Sequence, residues 1–207
     1  MIRAVIFDVG GVLIRSPIER FGALEAQAGM PKGTIIQINS TNPDTNAWAC
    51  FERGEIDELT FVSRLRAEAA ALGFDLDPTP LLAEEDPKLH HAMVALANQL
   101  SKALPVALLT NNFPIPSHRK VLGQFSFASV VIESSQIGMR KPEPRIYQHV
   151  TDHLGLAPSE CVFLDDLGIN LRPARSLGFA TIKVASIESA IAELHGLLAE
   201  QGVTLST

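Results

Sequence analysis

Five short apolar runs limit how this chain folds more than any other feature of its sequence. They cover residues 4–7, 106–109, 130–132, 162–164 and 181–184, and are rich in Val, Ile, Leu and Phe without a clear polar–apolar alternation. Such runs are typical of strands that are buried on both faces of a parallel sheet. The sequence therefore predicts a parallel sheet that is covered by helices on both sides.

Helical patterns follow the later runs, and each of them ends near a glycine. We expect helices over residues 144–154, 167–177 and 187–200, followed by Gly155, Gly178 and Gly202. Glycine at these positions supplies the left-handed residue with which many helices end. Strands that alternate with helices predict an α/β fold with a doubly wound parallel sheet, which binds its ligands beyond the carboxyl ends of the strands.

The segment between the first two strands differs from the rest of the chain. It shows helical patterns, including residues 59–72 and 88–102, and no strand run of comparable strength. Its start, Ser16 to Glu19, has the form of a capping box with proline at the first helical position. A mainly helical insert is therefore expected after the first strand, and the last of its helices is expected to belong to the core.

Charge and cysteine content limit the possible partners. A net charge of −6 over 207 residues argues against nucleic acid or an anionic membrane as the main partner. Two cysteines give no disulfide framework, and no apolar run approaches the ~20 residues of a membrane span. Without a signal-peptide pattern at the N-terminus, the chain is predicted to be cytoplasmic. Its oligomeric state is left open.

Polar side chains follow four of the predicted strands, where a parallel sheet brings them to one edge. They are Asp8, Thr110-Asn111-Asn112, Lys141 and Asp165-Asp166. Together they suit phosphoryl transfer, in which a carboxylate attacks phosphorus, other carboxylates hold a divalent cation, and hydroxyl, amide and ammonium groups neutralise the phosphoryl oxygens. Each alone also has a structural reading as a turn, a cap or a solvated side chain. Two adjacent acids at a buried strand end, however, repel each other and favour a cation.

The same stretches carry a resemblance to a known family. FDVGGVL, LLTNN, GMRKPEPRIY and VFLDDLGINL resemble the four motifs of the haloacid dehalogenase-like (HAD) superfamily. The chain is most similar to the branch with the phosphatase domain of soluble epoxide hydrolase, the HAD domain of some acyl-CoA dehydrogenases and bacterial sugar-1-phosphate phosphatases. CFERGEIDELTF also resembles that branch. The resemblance implies a Rossmann-like core of residues 1–15 and 83–207 and a helical cap of residues 16–82.

The resemblance also implies a role for each site residue. Asp8 would be the nucleophile, and the Mg²⁺ ligands would be Asp8, the backbone carbonyl of Gly10 and Asp166. The groups that hold the phosphoryl group would be Thr110, Asn111 and Lys141, with Asp165 and Asn170 in support. The substrate would be a small phosphorylated metabolite, such as a sugar phosphate, without nucleic acid or membrane as partner.

Gly10 departs from the pattern, because most HAD phosphatases have an aspartate there that protonates the leaving group and activates water. Loss of such general acid–base catalysis typically costs ~10²–10⁴-fold in rate. The expectation is thus a slow phosphatase that favours good leaving groups. His118 is the first candidate for a replacement, although an exposed loop histidine is the simpler interpretation.

Three other functions use a similar set of polar residues. A non-catalytic protein that binds or senses a phosphorylated ligand would keep the pocket without turnover. A dehalogenase of the same fold would use the aspartate without a metal, and Asp166 counts against it. A response-regulator receiver is excluded because its paired acids come early in the chain, whereas here they follow Thr110 and Lys141.

Overall fold

The computed structural model describes residues 1–83 and 87–202, without the side chains of Pro17 and Glu19. Residues 84–86 and 203–207, which belong to the predicted core segment 83–207, lie outside the described residues. Within the described part, five strands form one parallel sheet. They are β1 (Ala4–Phe7), β2 (Val106–Thr110), β3 (Val130–Glu133), β4 (Cys161–Asp165) and β5 (Ala180–Lys183), in the spatial order β3-β2-β1-β4-β5. The predicted α/β fold with a doubly wound parallel sheet is confirmed.

The two edge strands differ from the prediction. β1, β2 and β4 are buried along their whole length, as expected for central strands. β3 and β5 are only partly buried, and Val131 in β3 is 39% exposed. The expectation that all five runs are buried on both faces was therefore wrong at the edges, because an edge strand has a neighbour on one side only.

Helices cover both faces of the sheet. They are α5 (His91–Leu100), α6 (Pro116–Leu122), α7 (Ser134–Ile137), α8 (Pro144–Leu154), α9 (Gly168–Ser176) and α10 (Ile187–Glu200). Apolar residues of α5 and α10 pack in one cluster with Val5 and Phe7 of β1. Those of α8 and α9 pack in a second cluster with Ala4 and Ile6, on the opposite face of the same strand. Gly155, Gly178 and Gly202 have positive φ at or just beyond their helix ends, as predicted. Among the described helices, none is both long enough and apolar enough to cross a membrane.

The segment after β1 is helical, as expected, and is called the helical insert (residues 16–82) below. It contains α1 (Phe21–Gln27), α2 (Thr34–Ser40), α3 (Ala47–Glu52) and α4 (Glu58–Ala70). These helices enclose an apolar cluster that also includes Phe113 and Ile115 from the loop after β2. The insert therefore packs on the core beside the end of β2.

The start of the insert does not form the predicted capping box. A 3₁₀ turn, Pro17–Arg20, precedes α1, and the Ser16 side chain makes no capping hydrogen bond to it. The Ser16 side chain instead lies near Asp166, where it acts to lower the pKa of that carboxyl. The side chain of Glu19, the other half of the predicted box, lies outside the described residues.

Candidate active site

Three carboxylates meet at the carboxyl edge of the sheet, between its central strands. Asp8 directly follows β1, Asp165 ends β4, and Asp166 comes next. One ligand oxygen from each of the three lies within 4.8 Å of the others. Neighbouring parallel strands bring these residues together although β1 and β4 are far apart in sequence.

Lys141 joins this cluster from the loop before α8. Its side chain is 1% exposed, and Nζ lies 2.8 Å from Asp8 Oδ1 and 2.8 Å from Asp165 Oδ2. Burial alone lowers the pKa of Lys141, but Asp165 and Asp8 outweigh burial and raise this pKa above its ordinary value. The ammonium group therefore stays charged and offers a cation beside Asp8.

The cluster still has an excess of negative charge. Burial raises the pKa of Asp8 well above its ordinary value, and Asp165 and Asp166 raise it further, against the lowering effect of Lys141. Burial, followed by the charge of Asp165, raises the pKa of Asp166 to about 6. A bound cation would offset the excess of three carboxylates over one ammonium group. Carboxylates grouped in this way are the donors that Mg²⁺ accepts, and the residues present fit this ion.

Asp165 differs from the other two carboxylates because protein donors occupy both of its oxygens. Oδ1 accepts from the backbone N–H of Leu167 at 2.8 Å, and Oδ2 accepts from Lys141 Nζ. Asn170 Nδ2 donates to the two oxygens at 3.1 and 3.0 Å. Asp165 therefore has the contacts of a supporting residue that orients Lys141, and Asp8 and Asp166 remain the better metal ligands.

Asn170 is itself held in place from α8. It is buried in the first turn of α9, and its backbone carbonyl accepts a 2.7 Å hydrogen bond from the hydroxyl of Tyr147. This contact explains how the predicted supporting residue reaches Asp165, but it gives Asn170 no direct contact with Asp8.

The end of β2 provides Thr110 and Asn111. Thr110 is buried at the last position of β2. Asn111 Oδ1 accepts from the backbone N–H of Lys141 at 2.8 Å, and its Nδ2 donates to the Lys141 carbonyl at 2.9 Å. The Asn111 side chain thus fixes the backbone that carries Lys141. Phosphoryl binding by Thr110 and Asn111 stays a prediction.

Gly11 has a structural role that the sequence interpretation missed. It adopts a left-handed φ of +77°, and a Cβ atom placed on it would lie 2.2 Å from Asp166 Oδ2. Only glycine leaves room there for the Asp166 carboxylate. Gly10, the residue predicted to offer its carbonyl to the metal, is not among the described residues with positive φ.

His118 does not have the properties of an acid that replaces residue 10. Its Nδ1 accepts from the backbone N–H of Phe113 at 3.0 Å, and the two rings stack with centroids 5.5 Å apart. Burial, with a smaller effect of Arg20, lowers the pKa of His118 to about 4. The ring is therefore neutral near pH 7. It is also not the exposed loop histidine that the sequence suggested, because it is largely packed.

Glu52, at the end of α3, was also missed as a residue near the site. Its carboxylate accepts from Arg140 Nε at 2.6 Å and from Asn111 Nδ2 at 3.2 Å. The only sequence signal was its place in the stretch CFERGEIDELTF. Trp48 and Phe51, in the same helix, pack among the aromatic rings of the insert and Phe113.

Two known proteins are similar in sequence to almost the whole of this chain. The chain is 41% identical over 206 residues to acyl-CoA dehydrogenase family member 10 of Mus musculus, a match that covers 95% of this chain and 19% of that protein. It is 30% identical over 215 residues to bifunctional epoxide hydrolase 2 of Sus scrofa, covering 94% and 38%. The chain therefore spans well under half the length of these two relatives.

A solved structure has the same fold. It is a HAD family enzyme from Bacteroides thetaiotaomicron in complex with magnesium and inorganic phosphate, 24% identical, with a TM-score of 0.61 over 88% of this chain and 94% of that one. The model of the haloacid dehalogenase-like hydrolases matches residues 2–178. The resemblance inferred from the four motifs is thus confirmed, and the chain belongs to the haloacid dehalogenase-like hydrolase family.

Proposed function

We propose that the protein is a Mg²⁺-dependent phosphatase that hydrolyses a small phosphorylated metabolite through an aspartyl-phosphate on Asp8. The observation that carries the proposal is the position of Lys141 Nζ, 2.8 Å from Asp8 Oδ1, beside three carboxylates that could hold a metal ion. This arrangement offers a nucleophile, a fixed positive charge for phosphoryl oxygens and a metal site at one point. The magnesium and phosphate in the Bacteroides thetaiotaomicron enzyme support it.

The reaction would have two steps. In the first, an Asp8 oxygen attacks phosphorus, the bond from phosphorus to the ester oxygen breaks, and the leaving group takes up a proton from water. In the second, water attacks the same phosphorus, the bond from phosphorus to the Asp8 oxygen breaks, and the hydroxide left by the first step takes up the proton of the attacking water, so that inorganic phosphate and the free Asp8 carboxylate are formed. Lys141 would neutralise phosphoryl oxygens in both steps, as preorganised charges do in phosphoryl transfer.

Asp8, Asp166 and the backbone carbonyl of Gly10 would hold the magnesium ion. When bound, this ion would supply positive charge that reduces the repulsion between Asp8 and a phosphate dianion. Asp165 and Asn170 would keep Lys141 in place. The hydrogen bonds among Asp165, Asn170 and Lys141 support the positioning role, and the three metal ligands are those that the family resemblance implies.

Gly10 gives the proposed reaction its expected limits. No carboxylate stands at residue 10 to protonate the leaving group or to activate water, so turnover should be slow and should favour substrates whose leaving group is stable without protonation.

We infer further that the helical insert acts as a cap over the site and that the substrate is a sugar phosphate or a similar metabolite. The two free, buried cysteines, Cys50 and Cys161, are compatible with the proposed cytoplasmic location.

Hydrolysis of an aryl phosphate by the purified protein tests this proposal. We expect activity with Mg²⁺, loss of activity with EDTA, and loss of activity in Asp8→Asn, which changes shape very little. Asp152→Asn, on the exposed face of α8, is the matched control and should keep wild-type activity.

The alternatives make different predictions in the same assay. A protein that binds phosphate in the presence of Mg²⁺ without any hydrolysis would have the alternative, non-catalytic function. Equal rates with and without EDTA would contradict the metal site, as expected for a dehalogenase-type mechanism.

A further inference from the structure

The last turn of α3 and the loop that follows it contact the core directly beside the proposed site. An added Cβ on Gly54 would lie 2.5 Å from the backbone oxygen of Ser135 in α7, so the loop touches the α7 backbone itself. Arg53 Nη1 lies 3.7 Å from Oε1 of Glu143, a core residue two positions after Lys141 in the chain. Residues 47–55 are called the α3 docking segment below.

Glu52 makes the shortest polar contacts between this segment and the core. It is 7% exposed, although it carries a charge. Oε2 accepts from Arg140 Nε at 2.6 Å and from Asn111 Nδ2 at 3.2 Å, while Oε1 accepts from Trp48 Nε1 at 2.9 Å. Three donors thus occupy this carboxylate, and two of them belong to the core.

Both of these donors are linked to Lys141, one through the chain and the other through hydrogen bonds. Arg140 precedes Lys141 in the chain, and Asn111 holds the Lys141 backbone by two hydrogen bonds of 2.8 and 2.9 Å. Lys141 Nζ in turn contacts Asp8. Glu52 is therefore one hydrogen bond away from each of the two groups that fix the backbone of Lys141.

A carboxylate so close to a phosphate site needs an explanation, because an anion there repels the substrate. The ion pair with Arg140 offsets that repulsion, and charge-assisted hydrogen bonds of this length are among the stronger polar contacts in proteins. A buried charge held in this way fixes the geometry of the groups that it contacts.

We propose that Glu52 is a positioning residue that couples docking of the helical insert to the phosphate-binding loop. While α3 is docked, Glu52 holds Asn111 and Arg140, and Lys141 is presented to a phosphoryl group at Asp8. When α3 leaves the core, Asn111 and Arg140 lose the Glu52 carboxylate as their shared acceptor. The position of the Lys141 backbone, which Asn111 holds by hydrogen bonds, then becomes less well fixed. This inference rests on the proposed function, because it concerns the same phosphate site.

The chain contains its own reporter of this contact. Trp48 is the single tryptophan of the sequence. Its indole donates to Glu52, and its ring lies edge-on to Phe113 of the core with centroids 4.9 Å apart. Tryptophan fluorescence therefore reports on the docking segment, and it does so without any turnover.

Titration of the full chain with inorganic phosphate in the presence of Mg²⁺, followed by Trp48 fluorescence, tests the proposal. Glu52→Gln removes the charge and keeps the size of the side chain. We expect its dissociation constant for phosphate to rise about tenfold, as for the loss of one charge-assisted hydrogen bond. The KM for an aryl phosphate should rise by a similar factor while kcat changes little, a split that a purely structural defect would not produce.

Glu55→Gln is the matched control. Glu55 lies in the same segment and pairs with Arg53, but its side chain is 48% exposed and makes no hydrogen bond or ion pair with Asn111 or Arg140 in the described part of the chain. It should bind phosphate like the wild type. If Glu52→Gln fails to fold, Arg140→Gln breaks the same ion pair from the core side and should show the same rise.

The outcomes separate this inference from the proposed function. Equal phosphate affinity and KM in the wild type and Glu52→Gln, or an equal loss in Glu55→Gln, would overturn the role of Glu52. A wild type that binds phosphate but hydrolyses no ester would contradict the phosphatase, while a tenfold difference in phosphate affinity would still support the positioning role. A wild type that binds no phosphate would overturn both.

Discussion

At the scale of single residues, the glycine pair after Asp8 explains much of the site. Gly11 is required by shape, because its φ is +77° and the Asp166 carboxylate occupies the place of a side chain. Gly10 is not one of the described glycines with a positive φ, so its backbone conformation does not by itself exclude a residue with a side chain. Under the proposed function the first glycine would limit the chemistry, whereas the second makes room for the Asp166 carboxylate.

Gly11→Ala tests this view of the metal site. The added methyl group must displace Asp166, so we expect the dissociation constant for Mg²⁺, measured by calorimetry, to rise at least about tenfold, along with about 1–2 kcal/mol of backbone strain. Gly73→Ala has a similar φ of +87° with no atom within 4 Å, and separates strain from the clash. Unchanged Mg²⁺ binding in Gly11→Ala would show that Asp166 is not a ligand.

Gly10→Asp tests the missing acid–base group. An aspartate there should raise turnover most for an alkyl phosphate, whose leaving oxygen needs a proton, by up to about 100-fold. The quantity to measure is the ratio of alkyl to aryl phosphate rates in the variant and in the wild type. An unchanged ratio in a folded variant that binds Mg²⁺ would mean that another group already donates the proton. His118 is a weak candidate for that group, because its pKa is lowered to about 4.

At the scale of helices and strands, local sequence patterns predicted the positions of the strands and of several helix ends. The apolar runs marked the strands because a parallel sheet buries its central strands, and the glycines after α8 and α9 marked helix ends. The start of the insert was less well predicted, since the Ser16 side chain makes no capping hydrogen bond and instead lies near Asp166. That position depends on how the chain folds around Asp166, and no local pattern of residues 16–19 contains it.

The site shows the same division. Asp8, Lys141, Asp165 and Asp166 were predictable because parallel strands bring their carboxyl ends to one edge. The contacts of Glu52 were not, because they join residues 59 and 88 positions apart along the chain. They depend on how the insert docks on the core, which hydrophobic patterns within either part do not determine.

At the scale of the whole molecule, the core holds the carboxylate cluster of the proposed site, and the insert contacts the loops beside it. The sheet brings Asp8, Lys141 and Asp166 together, and the aromatic cluster of the insert continues into Phe113 beside the site. The insert and the proposed site thus meet at a single face, where α3 contacts the end of β2 and the α7–α8 loop.

Chemical trapping of the intermediate tests the central claim most directly. The wild-type protein is mixed with Mg²⁺ and an aryl phosphate, quenched in acid and treated with borohydride, which reduces an acyl phosphate of aspartate to homoserine. The account predicts homoserine at position 8 in the peptide mass spectrum, and none when the substrate is left out or in Asp8→Asn. Hydrolysis of the ester without any reduced residue at position 8, or with reduction at Asp165 or Asp166 instead, would contradict it.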